Sequence, residues 1–145
     1  MAAVKAYVAQ WLQLGKRLEL PGRSTSAAIA ETVAGERYTA NFENLWYSIL
    51  HVELGNVYLL GTDVKIADLL TGTWELHECA RCGLPVPLPP LGQAQVGPCV
   101  CADLSTWPNA ETVPPHPPIA SSVHLQGLRQ RMEEAPMAPQ PPTRP

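Results

Sequence analysis

Several things are scarce or absent in this 145-residue chain, and each narrows what it can be. No apolar run approaches the roughly 18 residues needed to span a bilayer. The N-terminal stretch, broken by Lys5, Gln10 and Gln13, lacks the apolar core of a signal peptide. Neither charge sign forms a long run, and the formal net charge is only −3. Clustered lysines and arginines supply non-specific affinity for nucleic acid, so nucleic acid is a poor default partner here. There is no phosphate-cradling glycine loop, dinucleotide fingerprint, nucleophile elbow or His-Glu-x-x-His motif. An enzyme is therefore not expected. A soluble cytoplasmic protein is.

Aromatics and prolines are each missing from one half of the chain. Eight of nine aromatics lie at or before Trp74, and fifteen of sixteen prolines at or after Pro85. A packed core is thus expected mainly from residues 1–78, with a segment at 79–109 and a Pro-rich, mostly disordered tail at 110–145. A core that small is marginal, and a cross-link would help it.

The cross-link is visible as cysteine. All four cysteines fall in two clusters, Cys79-Ala-Arg-Cys82-Gly83 and Cys99-Val-Cys101, with sixteen residues between them. With no export signal, clustered cysteines point to metal rather than disulfides. A turn presenting thiolates at i and i+3 supplies half of a zinc tetrahedron, as in a zinc ribbon. Gly83 tolerates the backbone angles of such a turn, and Arg81 can offset thiolate charge. The second pair has one intervening residue. In an extended strand i and i+2 share a face, so both sulfurs can reach one metal. Structural zinc held by Cys79, Cys82, Cys99 and Cys101 is the favoured reading, and an iron–sulfur cluster the lesser one. His77, two residues before Cys79, is read as a solvent-facing strand residue, because four cysteines already complete the shell. A thioredoxin-like redox pair needs a helix after its first cysteine, and Pro85, Pro87, Pro89 and Pro90 forbid one.

Around the cysteines the hydrophobic periods predict an α+β domain. Val4, Tyr7, Val8, Trp11 and Leu12 form one helical stripe that Gly15 stops. Phe42, Leu45, Trp46, Ile49 and Leu50 form a second, opened by Thr39 or Asn41. Ile66, Leu69 and Leu70 mark a third, shorter helix after a Gly61-Thr62-Asp63 cap. Lys16–Leu20, Val57–Leu60 and Thr73–His77 read as three short strands. A small three-stranded sheet carrying two to three helices is the economical packing. His51 falls at the end of the second helix, where the helix dipole favours an imidazolium, so no acid–base pair with Glu53 is needed. Trp107-Pro108-Asn109 is expected to turn Trp107 back on the ribbon, and residues 114–118 to form an extended polyproline-like spacer.

The Tyr7–Lys16 opening, the Cys79-Ala-Arg-Cys-Gly-Leu-Pro-Val-Pro-Leu-Pro knuckle and Cys101-Ala-Asp-Leu-Ser-Thr-Trp-Pro-Asn together resemble a family of small cyanobacterial proteins. The resemblance covers roughly residues 4–131. It implies a cyanobacterial source, an intracellular location and the same four cysteine ligands, but no particular activity. More broadly, the cysteine region is similar to zinc ribbons, many of which bind proteins or nucleic acids.

The expected function is non-enzymatic: an interaction or assembly module with a structural zinc and an unidentified protein partner. Tyr38, Tyr47, Arg81 and Trp107 are its candidate contact residues. The alternatives are a nucleic-acid- or transcription-associated zinc ribbon and a thiol/zinc redox switch.

Overall fold

The computed structural model describes residues 1–20, 26–27, 29, 31–90 and 99–134. Helix α1 spans Ala2–Gln13 and buries the expected stripe, Val4, Tyr7, Val8, Trp11 and Leu12. The chain then passes through β1 (Leu18–Glu19), β2 (Ser26–Ala27) and the pair β3 (Val33–Ala34) and β4 (Arg37–Tyr38). Helix α2, Ala40–His51, is capped by Thr39, whose hydroxyl accepts from the Phe42 amide at 3.3 Å. The same hydroxyl donates to the Glu31 carbonyl at 2.8 Å, which ties the cap to the segment that leads into β3. Phe42, Trp46 and Ile49 on α2 meet the α1 stripe in one core.

After α2 the backbone turns through Leu54 (φ 52°) and Gly55 (φ 70°) into β5, Tyr58–Leu59. Gly55 is buried here, and its carbonyl accepts from Ala67 at 2.9 Å. A Cβ added at Gly55 would stand 2.9 Å from the Ala67 amide nitrogen, which is main chain and cannot swing aside. Gly55→Ala is therefore expected to cost about 2–4 kcal/mol, from left-handed strain plus overpacking. Urea denaturation checks this; a loss below about 0.5 kcal/mol would show that the Ala67 backbone yields.

The third helix, α3, is shorter than its pattern suggested. It starts only at Ile66 and ends at Leu70. Lys65 occupies the N-cap position without a side-chain bond, and Gly61-Thr62-Asp63 lies upstream of it. The delay has a visible cause: Lys65 bridges back to Tyr58, so the backbone is engaged in pairing before it can coil.

The three anticipated strands do not join into one sheet. β1 pairs antiparallel with β5 on one side and with β2 on the other, two residues deep each time. The third strand, β6 (Glu75–Glu78), pairs instead with β7 (Pro85–Leu88), a strand the prolines had concealed. Its two prolines fall on alternate positions. The Pro85 carbonyl faces away from β6 and accepts from the Trp11 indole at 2.8 Å. A residue's N and O share one side in an antiparallel strand, so the ring nitrogens without hydrogens lie on the side that needs no donor. This hairpin docks on α1 through that bond, and Leu84 and Val86 enter the core.

The core also takes in Val100, Cys101 and Trp107, so residues beyond 78 share the cluster built by α1 and α2. Further on, the segment expected to be a spacer carries contacts. The Gln13 side chain donates to the His116 carbonyl at 2.9 Å and accepts from the His116 amide at 3.2 Å. Gln10 donates to the Pro115 carbonyl at 3.3 Å, and Pro115 is buried. The last helix, α4 (Ser121–Glu134), leaves Val123, Leu125, Leu128 and Met132 exposed. The tail expected to be mostly disordered, 110–145, is thus described as far as residue 134 and carries a helix, while 135–145 fall outside the described residues. No helix among the described residues is long and apolar enough to cross a membrane.

Candidate metal centre

The β6–β7 hairpin presents the first two cysteines. Cys79 follows the last residue of β6, its amide donates to the Leu84 carbonyl at 2.9 Å, and its carbonyl accepts from Gly83 at 2.8 Å. These bonds close a tight knuckle that returns through Gly83, whose φ of 71° suits a residue without a Cβ. Within the knuckle the amides of Arg81 and Cys82 point at the Cys79 sulfur.

The second pair is built differently from the extended strand expected of it. Ala102 donates to the Cys99 carbonyl at 2.8 Å and Leu104 to that of Cys101 at 3.1 Å, so residues 99–104 form consecutive turns. The reason is reach. An extended backbone sets residues i and i+2 about 6.6 Å apart. The turn brings the two sulfurs to 3.0 Å, and sends Val100 between them into the core.

The two segments meet sulfur to sulfur. Cys99 Sγ lies 3.1 Å from Cys79 Sγ, and all four Sγ atoms lie within 4.8 Å of one another. None is in a disulfide. A four-thiolate tetrahedron with bonds of ~2.3 Å has sulfur–sulfur edges of about 3.8 Å. The spacings found here bracket that value. The cluster thus has the size and ligand number of a mononuclear metal site.

The protons on these sulfurs are unevenly held. Burial pushes all four thiols up. At Cys79 the hydrogen bond from Cys99 and the amides of Cys82 and Arg81 outweigh burial, and the thiol falls to about 6. Cys99 is pushed up to about 12, and Cys82 and Cys101 are raised as well. The metal-free chain therefore offers one ready thiolate near neutral pH. A metal must displace protons from the others, which it does by stabilising their anions.

The remaining candidates divide. His77 is exposed, bonded to Glu75 at 3.2 Å and outside the sulfur cluster. Arg81 is exposed beside the knuckle. Tyr38 is half-buried, packed on Phe42 with Lys5 4.6 Å above its ring. Tyr47 is 62% exposed and stacks on His51 at 4.3 Å. Trp107 lies in the core at 6% exposure. A turn closed by its amide on the Leu104 carbonyl at 3.3 Å carries it there, and in that position it presents no surface to a partner.

Two residues that no motif signals stand next to the centre. Lys16 is buried, and its ammonium meets the Asp103 carboxylate through Oδ1 and, at 2.6 Å, Oδ2. Asp103 sits two residues after Cys101. In the sequence Lys16 looks like the polar member of an alternating strand; its burial depends on a loop 87 residues away.

No protein-family model, curated protein or solved structure matches this chain. The centre has to be read from its own geometry, and that geometry is a metal-sized cage of four sulfurs.

Proposed function

We propose that the four thiolates hold one zinc ion as a structural cross-link, and that the protein is a non-enzymatic interaction or assembly module of the cytoplasm. The observation that carries the metal reading is the convergence of Cys79, Cys82, Cys99 and Cys101 from two segments onto one point. Four sulfurs fill a tetrahedral shell and leave no position for a substrate, so the ion would cross-link rather than catalyse. A cluster of several irons needs its thiolates spread wider than a mononuclear ion does, and this tight grouping favours the single ion. Support for the interaction role is the apolar surface left uncovered. It includes Tyr47, Val52 and Leu54 around the end of α2, and Leu125, Leu128 and Met132 on α4.

Protein purified without chelator is expected to carry one equivalent of zinc and to show no iron absorbance. Less than half an equivalent, or iron in its place, would sink the zinc reading. For the interaction role, tagged protein is expected to recover a partner that a Tyr47→Ser, Leu54→Ser variant loses. Recovery unchanged by that variant would rule this surface out.

A further inference from the structure

Residues 99–118 run across the molecule as a strap with four attachments. Cys99 and Cys101 fasten it at the sulfur cluster. Two residues on, Asp103 meets Lys16. Trp107 is buried in the core, and Pro115 and His116 are gripped by Gln10 and Gln13. Both glutamines lie on α1 and Lys16 stands three residues past its end, so two of the four attachments are made to α1 and the turn that follows it.

The second attachment is asymmetric. The Lys16 side chain is 3% exposed, whereas that of Asp103 is 62% exposed. A carboxylate so placed is solvated with or without a partner. A buried ammonium is not, and losing its counter-charge is strongly unfavourable. Lys16 therefore depends on Asp103 being where it is. The position of Asp103 depends in turn on the cysteines. Only Ala102 separates it from Cys101, and the bonds Ala102 N to Cys99 O and Leu104 N to Cys101 O make residues 99–104 one continuous turn. Fixing the two sulfurs fixes the carboxylate. The pair lies against Gly61: a Cβ added there would stand 3.3 Å from the Lys16 Nζ and 4.0 Å from the Asp103 Oδ2.

We infer that the metal centre and the Lys16–Asp103 pair form one device: metal binding seats the strap 99–118 on α1, and metal loss releases it. This rests on the metal reading above. Release uncovers Val100 and Trp107, apolar groups otherwise in the core, and alters the platform from which α4 projects. The coupling is reciprocal, as linkage requires. The factor by which the ion pair strengthens metal binding is the factor by which bound metal strengthens the ion pair. Asp103 is thus a positioning residue for the metal, acting through the turn rather than as a ligand.

The test uses the full chain and zinc alone as the probe. Affinity is read by competition with a chromogenic chelator, and the strap by amide hydrogen exchange. In the wild type, chelation is expected to speed exchange across 99–118 by at least about tenfold while the middle of α2 is little changed. Asp103→Asn is expected to bind zinc at least about tenfold more weakly, the scale seen when a group supporting a ligand is lost. Asp103→Glu, which keeps the charge, is expected to stay within about threefold of wild type. Wild-type affinity in Asp103→Asn would overturn the coupling and leave the zinc site standing. A chain that takes up no zinc at all would overturn both readings, and metal analysis distinguishes the two failures. Should Asp103→Asn fail to fold, the wild-type exchange decides: protection lost across 99–118 on chelation upholds the device, and protection retained overturns it.

Discussion

Removing the proposed zinc is expected to lower the protein's thermal midpoint by ~12 °C. The size follows from linkage. An ion present at a free concentration a thousandfold above its dissociation constant stabilises the folded state by about 4 kcal/mol. For a chain of this length each kcal/mol moves the midpoint by about 3 °C. The proposed ion would join two segments: the knuckle at Cys79–Cys82 belongs to the β6–β7 hairpin, and Cys99–Cys101 to the turns that carry Asp103. Without it, three partly buried thiols and the buried thiol of Cys101 face one another with only weak S–H bonds between them. The chain is nevertheless not expected to unfold outright, as an isolated zinc finger does. Tyr7, Trp11, Phe42, Ile49 and Leu59 come from α1, α2 and β5, and the core they enter is much larger than the sulfur cluster at its edge. Calorimetry with and without chelator, followed by zinc restoration, checks both parts. A midpoint that shifts by less than about 2 °C would mean that the sulfurs contribute little to the fold.

Replacing Trp11 is expected to be the most damaging single change in the core. Its ring is fully buried in α1, and truncation of such a residue to alanine costs about 3–5 kcal/mol through lost transfer energy and the cavity left behind. That is a large share of the 5–15 kcal/mol available to an ordinary domain. Trp11 also donates its indole N–H to the Pro85 carbonyl at 2.8 Å, the bond through which α1 holds the cysteine hairpin. Trp11→Phe separates the two roles. It keeps most of the apolar volume and leaves the Pro85 carbonyl without its donor, a loss of about 1–3 kcal/mol. Urea denaturation gives both values. If phenylalanine proves as costly as alanine, the hydrogen bond rather than the ring dominates; if it costs nothing, water has replaced the indole at Pro85.

What could be read in advance was local. The periods of α1 and α2 gave their buried faces, because an amphipathic stripe is a property of neighbours three and four residues apart. The cap was narrowed to Thr39 or Asn41 for the same reason, and the structure uses Thr39. The cysteines were legible as candidate metal ligands because two short clusters supply the four sulfurs of a tetrahedral site. Strand β7 was hidden, since proline composition argues against a strand and only the partner β6 shows which edge must donate. Pairing of the predicted strands was equally out of reach: strands two residues long carry too little pattern to name their neighbours. Gln10 and Gln13 looked like the solvated side of a helix, yet they bind residues more than a hundred positions away.

The four sulfurs that organise this chain were thus fixed by residue type and spacing, and so was their number. How they are held was decided only in three dimensions. The turn at 99–104 replaces an extended strand because the sulfurs must approach one another more closely than i and i+2 of a strand allow. The carboxylate of Asp103 comes to rest on Lys16 because that turn carries it there, and a buried ammonium accepts no other arrangement cheaply. Spacing along a chain can specify which atoms are able to bind an ion. It does not specify which distant charge their binding will set in place, because that depends on the path the backbone takes between them.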